Sequence, residues 1–382
     1  MKRIVTLLAI GICSASLLSI KYKNHDDPTY YSIEELRKLY SSGDVSLWPK
    51  ATIDSSVVNF KEIGILGSIP FPEENPFSKE KRALGKMLFF DPRLSKSGQI
   101  ACASCHDPAL AWGDGKPVSH GHDRQAGIRN SKSLLNVAYT TPLFWDGRAQ
   151  TLEEQIEFPV KDPAEMANHI DLATKSIKKV KGYKPLFKEA FGDEEITKER
   201  IIKAIATFER TITSKKSKFD LFVQGDAKQL NDKELTGLHL FRTKARCINC
   251  HNSGYFSDNQ FHNVGLSYYK RKYEDLGVYA RSQNRADLGK FKTPSLRDVS
   301  KTGPYMHNGL FPTLRGVLNM YNAGMPNRIV QKGYENDPMY PRNSEILKVL
   351  NLNEEELHAL ESFLEAISTT VYREPAPEVL PK

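Results

Sequence analysis

Four of the five cysteines in this 382-residue chain stand in two copies of one pattern, Cys102-Ala103-Ser104-Cys105-His106 and Cys247-Ile248-Asn249-Cys250-His251. Any fold the chain adopts must present two thiols and an imidazole together, twice. Cysteines at this spacing rarely bridge each other outside redox motifs near βαβ units, and no βαβ pattern is found here. A four-cysteine zinc site is the other option. The pairs begin 247 − 102 = 145 residues apart, against ~15–20 for a sequence-local zinc ribbon. Neither alternative uses the histidine that follows each second cysteine.

Covalent c-type haem uses all three residues. The two thiols add to the two haem vinyl groups, and the adjacent histidine lies under the iron as its proximal ligand. The sequence therefore predicts two haems, one on Cys102 and Cys105 with His106, the other on Cys247 and Cys250 with His251.

Such attachment requires an exported chain, and the N-terminus agrees. Lys2 and Arg3 precede the apolar run Ile4–Ile12, followed by the small residues Ser14, Ala15 and Ser16; that order is an export signal. Bulky Ile12 argues against lipid modification of Cys13. The apolar character resumes at Leu17, Leu18 and Ile20, so an uncleaved N-terminal anchor is the alternative within residues 1–22. The expected location is the periplasm.

With 40% hydrophobic and 26% charged residues, the chain reads as globular, and its length suggests two domains. Residues 23–70 are polar and proline-bearing and read as an N-terminal extension with one short helix at Ser32–Tyr40. An N-terminal haem domain spans 71–220, with helical periodicity around Leu152–Phe158 and Lys198–Thr213. A C-terminal haem domain spans 221–370, entered by the helix Glu234–Phe241 and closed by Glu354–Ile367. Residues 371–382 read as a loose proline-rich tail. Strand signals are few. The expected fold is mainly α: two cytochrome c-like domains with long loops and little β. Beyond the haem motifs the two units read as sharing little sequence, an old duplication at most.

The stretches LGKMLFFDPRLSKSGQIACASCHDPALAWGDG, RNSKSLLN, FWDGRAQTLEEQ and DPAEM, then FHNVGL, GKFKTPSLRDV and TGPYMHNG, resemble the bacterial di-haem cytochrome c peroxidases and their relatives, the MauG proteins. The resemblance covers roughly residues 65–365 in order. It makes His106 and His251 the proximal ligands. It places Glu165 as the acid/base group over an open iron face, with Gln155 and Pro159 as distal neighbours. Alone, Glu165 in a charged stretch would be a solvated carboxylate; its matched context gives it the role. Trp145 falls where the family keeps a tryptophan between the haems, able to carry an electron or hole. Asn130, Thr302 and Pro304 match positions that hold a calcium ion, the last two through backbone oxygens, a donor set suited to a hard cation.

The resemblance also implies two further ligand positions. A loop histidine caps the N-terminal haem in typical peroxidases, and of His120 and His122 the spacing from Asn130 selects His122; MauG-like members leave that iron open. Typical peroxidases place a methionine fourteen residues beyond the position of His307, and here 307 + 14 gives Tyr321. Tyr321 shares a helical stripe with Leu314, Val317 and Leu318, with Met320 ~100° away; Met325 is a weaker candidate. A tyrosine ligand lowers haem potential where methionine raises it.

The leading expectation is an enzyme reducing hydrogen peroxide to water. Electrons from a small redox protein would enter at the C-terminal haem and pass Trp145 to the N-terminal one. The alternative is a MauG-like enzyme that oxidises side chains of a partner protein; a non-enzymatic electron-transfer cytochrome is third, and would have no use for Glu165. The net charge of +8 suits an acidic partner or membrane surface. Nucleic acid is not expected, and a homodimer is compatible.

Overall fold

The computed structural model describes residues 31–326, 329–369 and 374–382; the export segment and Cys13 lie outside them. The helices in chain order are α1 (Ile33–Tyr40), α2 (Lys79–Phe89), α3 (Leu152–Lys161), α4 (Ile170–Lys178), α5 (Tyr183–Phe191), α6 (Lys198–Arg210), α7 (Lys218–Phe222), α8 (Asp232–Arg242), α9 (Tyr279–Ser282), α10 (Leu314–Asn322) and α11 (Glu354–Ala366). Two short antiparallel strands, β1 (Phe261–His262) and β2 (Phe291–Lys292), pair Phe261 with Lys292. Long loops and 3₁₀ turns make up much of the rest, as the mainly α expectation requires. No described helix is long and apolar enough to cross a membrane.

Local chemistry sets the helix starts. Asn231 and Asn353 open α8 and α11 as N-caps, and in each case the glutamate three residues on, Glu234 or Glu356, returns a bond to the cap backbone. Each haem unit is then built on one tight helix crossing. In the N-terminal unit α2 crosses α6, and a Cβ added to Gly85 would stand 1.9 Å from the Ala204 carbonyl oxygen and 2.9 Å from Phe208 Cβ. In the C-terminal unit α8 crosses α11, and a Cβ on Gly237 would stand 2.0 Å from the Ala359 oxygen and 2.7 Å from Phe363 Cβ. Backbone cannot give way as a flexible side chain would. Gly85→Ala or Gly237→Ala should therefore lower stability by ~1–3 kcal/mol through overpacking, read as a lower denaturation midpoint of the holoprotein. An unchanged midpoint would mean that the crossing can open freely.

The units share more than the sequence suggested. Residues 133–147 (SLLNVAYTTPLFWDG) and 295–309 (SLRDVSKTGPYMHNG) align at a constant offset of 295 − 133 = 162. Both begin a turn with a left-handed residue, Asn136 (φ 62) and Asp298 (φ 59). Both close with a matching bridge, Leu143 to Ala149 and Tyr305 to Phe311. The next helices keep the offset: Thr151 caps α3 and Thr313 caps α10. The chain is a structural duplication.

The terminal segments of the described residues cross over. From the N-terminal extension Leu36, Tyr40, Trp48 and Ile63 join the core of the C-terminal unit. A buried relay fixes them, with Arg242 bonded to Glu62, the Tyr40 hydroxyl and the Pro49 carbonyl (2.5, 2.9 and 2.7 Å). The tail is not loose. Buried Glu374 pairs with Arg82 and Lys86 of α2 at 2.7 and 2.9 Å, and the Gly182 amide donates to the Lys382 carbonyl at 2.7 Å. Each end thus braces the haem unit that is distant in sequence.

Candidate functional site

Each Cys-x-x-Cys-His motif forms a short turn that brings its histidine back over its first cysteine: the His106 amide donates to Cys102 at 3.1 Å and the His251 amide to Cys247 at 2.9 Å. Both imidazoles are held in one way. His106 Nδ1 meets the Trp112 carbonyl and His251 Nδ1 the Phe256 carbonyl, each at 3.1 Å. A carbonyl only accepts, so Nδ1 carries the proton and Nε2 keeps a free lone pair, the arrangement that orients a metal-binding histidine. Burial lowers the pKa of both rings, which favours their neutral form. It also raises the Cys102 thiol and pushes Cys247 up to about 12. Neutral imidazoles and unpaired thiols fit a thioether-bound, histidine-ligated haem at each motif. Cys250 comes within metal-ligand reach of Asp258 and His262, all within 4.8 Å, and the same thiol is the second cysteine of the Cys247–His251 motif.

One continuous cavity of ≈ 1110 Å³ reaches both motifs. Gln155 and Pro159 face it from α3, and Val317 and Tyr321 from α10. These are matched positions, since 155 + 162 = 317 and 159 + 162 = 321. Where one unit has a proline with nothing to offer a metal, the other has a phenol. Tyr321 lines the cavity together with Leu314, Val317 and Leu318, whereas Met320 and Met325 do not. Burial, then Cys250 and Cys247, raise the Tyr321 pKa. Among the described residues its hydroxyl has no hydrogen-bond partner.

Glu165 reaches the cavity from the loop after α3. That loop folds back on the helix, with Met166 N bonded to the Pro159 carbonyl (3.1 Å) and Asn168 N to Val160 (2.8 Å). Burial, with help from Asp162 and against Arg148, raises the Glu165 pKa. Its backbone carbonyl accepts from the His122 amide at 2.8 Å. Gly121 makes this approach possible: a Cβ there would lie 2.3 Å from the Ala164 oxygen and 2.4 Å from that of Glu165. Gly121, not His122, lines the cavity. The His122 Nε2 lies 3.4 Å from Asp123, and its Nδ1 is buried without a partner. His120 is exposed.

Trp145 lines the same cavity. Its Nε1 donates to the Asn130 carbonyl (2.9 Å), and Lys132 Nζ sits 4.1 Å from its ring centroid. Its repeat partner is His307, since 145 + 162 = 307, and the two rings meet edge to face at 6.4 Å. The backbone is reciprocal too. Asn130 N bonds the His307 carbonyl at 2.7 Å, and Lys292 N bonds the Trp145 carbonyl at 2.8 Å. Asn130, Thr302 and Pro304 all line this interface, and the Asn130 amide donates to the Lys116 carbonyl at 2.9 Å, leaving its Oδ1 available. The sequence reading missed Arg148, which lies 3.5 Å over the Phe144 ring on the cavity wall. It used His307 only as a point to count from; the ring is stacked 3.6 Å from Phe291 with its Nε2 buried and unpartnered.

Residues 79–228 match the model of the di-haem cytochrome c peroxidase family. The chain is 40% identical over 318 residues, 82% of its length and 84% of the relative's, to a methylamine utilization protein MauG of Methylorubrum extorquens. It belongs to the di-haem cytochrome c peroxidase family. Membership makes it an oxidoreductase of c-type cytochrome architecture with two haems, which the two donor sets fit. Within the family it is also 35% identical over 332 residues (79% of this chain, 84% of the relative) to the cytochrome-c peroxidase IdrP1 of a Pseudomonas strain. Among solved structures, a MauG-like protein associated with microbial copper homeostasis superposes with a TM-score of 0.70 at 29% identity, covering 83% of this chain and 96% of that one.

Proposed function

We propose that this enzyme reduces hydrogen peroxide to water in the N-terminal half of the cavity, with electrons from a small redox protein. The observation that carries the reading is the half-buried carboxyl of Glu165 on the cavity wall, which it shares with Pro159, a residue without a ligand atom in its side chain. The haem, when bound, supplies the redox-active iron. Glu165 accepts the proton of the near peroxide oxygen and returns it to the far one, so that the O–O bond breaks with water as leaving group. Gln155 and Arg148 orient the peroxide, and Trp145 conducts between the haems. A calcium ion held by Asn130 Oδ1, the Thr302 and Pro304 carbonyls and waters would stiffen the interface. Export to the periplasm accords with the N-terminal signal and with covalent haem assembly.

The second reading, oxidation of side chains on a partner protein, is favoured by Tyr321 at the C-terminal haem. The two separate in one assay: peroxide consumption by the holoprotein with reduced c-type cytochromes and cupredoxins as donors. A peroxidase oxidises two one-electron donors per peroxide with saturation in donor. Peroxide consumption no faster than that of Glu165→Gln with every donor would overturn the peroxidase reading.

A further inference from the structure

The last turn of helix α6 carries a carboxyl that the fold does not require. Glu209 is 4% exposed and lines the cavity, and its Oε2 is buried without a hydrogen-bond partner. The duplication shows what this place needs structurally. Ala204 and Phe208, which meet Gly85, correspond to Ala359 and Phe363, which meet Gly237 (204 + 155 = 359, 208 + 155 = 363). Glu209 then corresponds to Leu364 (209 + 155), also buried in the cavity wall. Leucine fills the site in one unit; the other places an acid there, although a buried polar group without a partner costs ~1–3 kcal/mol.

Neighbouring charges do not account for it. On its own helix Arg210 turns away to Glu153 of α3, at 2.6 and 2.7 Å. From α2, Lys81 bonds Asn75 (2.9 Å) and Arg82 bonds Thr211 and Glu374 (3.0 and 2.7 Å). From α4, Asp171 faces Lys198 at 4.0 Å, and from the 137–139 turn the Tyr139 hydroxyl donates to Gly67 at 2.9 Å. The haem motif itself contributes Cys102, whose thiol feels both Glu209 and Glu165. Burial, with Glu153 and against Arg210, pushes Glu209 up to about 8.

We propose that Glu209 is the proton-coupling group of the N-terminal haem, taking up one proton from solvent when that haem gains one electron and releasing it when the electron leaves. The electron comes from the reductant and the proton adds to the carboxylate; no other bond forms or breaks. A haem one charge more negative raises the proton affinity of a carboxyl on the same low-dielectric wall, and linkage makes the effect mutual. The inference needs the haem to be present but not peroxidase activity, so the two readings can fail separately.

The test is potentiometric titration of the holoprotein across pH values on either side of about 8. Wild type should show an N-terminal haem potential that falls as pH rises, approaching ~59 mV per tenfold change in proton concentration for one electron. Glu209→Gln, a neutral isostere, should flatten that slope and hold the potential above wild type at high pH; Glu165→Gln should retain it. A full slope in Glu209→Gln, or its loss in Glu165→Gln, would overturn the proposal. If the glutamine variant loads haem poorly, redox-difference infrared spectra of wild type decide: a protonated carboxyl band should appear on reduction, and its absence at every pH would overturn the proposal.

Discussion

Glu165→Gln should leave both haems attached and slow the reaction with hydrogen peroxide by ~10²–10⁴-fold, the usual contribution of a general acid/base. Glutamine keeps the shape of the side chain and the backbone bond from His122, which depends only on the Glu165 carbonyl oxygen. What it removes is the titrating oxygen. The pH profile makes the assignment specific. Burial holds the Glu165 carboxyl above the usual carboxylate range, and the group must be ionised to take a proton from peroxide. In wild type the second-order rate should therefore rise with pH through that raised value and then level off; in Glu165→Gln the step should vanish. A loss smaller than about tenfold, or an unchanged profile, would mean that another group moves the proton. Rapid mixing of the ferric holoprotein with peroxide measures both.

The parts of this molecule legible in sequence are those whose signals are local. The 3.6-residue periodicity marks α3, α6, α8, α10 and α11, and Tyr321 falls on the predicted stripe of α10 because Leu314 and Leu318 fix that face. Helix α2 escaped. Its core side carries Gly85, which weakens a helical pattern, yet that glycine is present because α6 passes too close for any side chain. The extent of the duplication escaped for a related reason. Residues 133–147 and 295–309 keep the backbone-determining residues, among them the paired Pro142 and Pro304 and the paired Gly147 and Gly309. Facing positions such as Trp145 and His307 have diverged in chemistry, and the haem motifs lie at a different offset, 145 rather than 162. Burial of single charges is not local at all. Glu374 reads as part of a polar tail until its partners Arg82 and Lys86 are seen across the fold. Glu209, next to Arg210 in a charged helix end, reads as an ordinary surface pair.

Tyr321→Met should raise the potential of the C-terminal haem by a sizeable share of the ~0.8 V that axial ligands span, without loss of either haem. The side chain lines the cavity from the position that Pro159 holds in the other unit, next to Cys247 and Cys250, and its hydroxyl is unengaged by the protein. Burial alone would hold the phenol neutral far above its ordinary range. A bound ferric iron would reverse that preference, because a cation at contact distance favours the phenolate. An anionic ligand stabilises the ferric state and lowers the potential; a thioether is neutral and raises it. Wild type should therefore lack the sulfur-to-iron absorption band and acquire it in Tyr321→Met. A sulfur band in wild type that disappears in Met320→Ala would overturn the assignment, although Met320 does not line the cavity. The outcome also ranks the two functions. With the phenolate in place, the C-terminal haem accepts electrons poorly from ordinary cytochromes, so turnover with small donors should be slow. Tyr321→Met should then speed donor oxidation. No change in donor kinetics despite a raised potential would show that electron entry does not limit turnover.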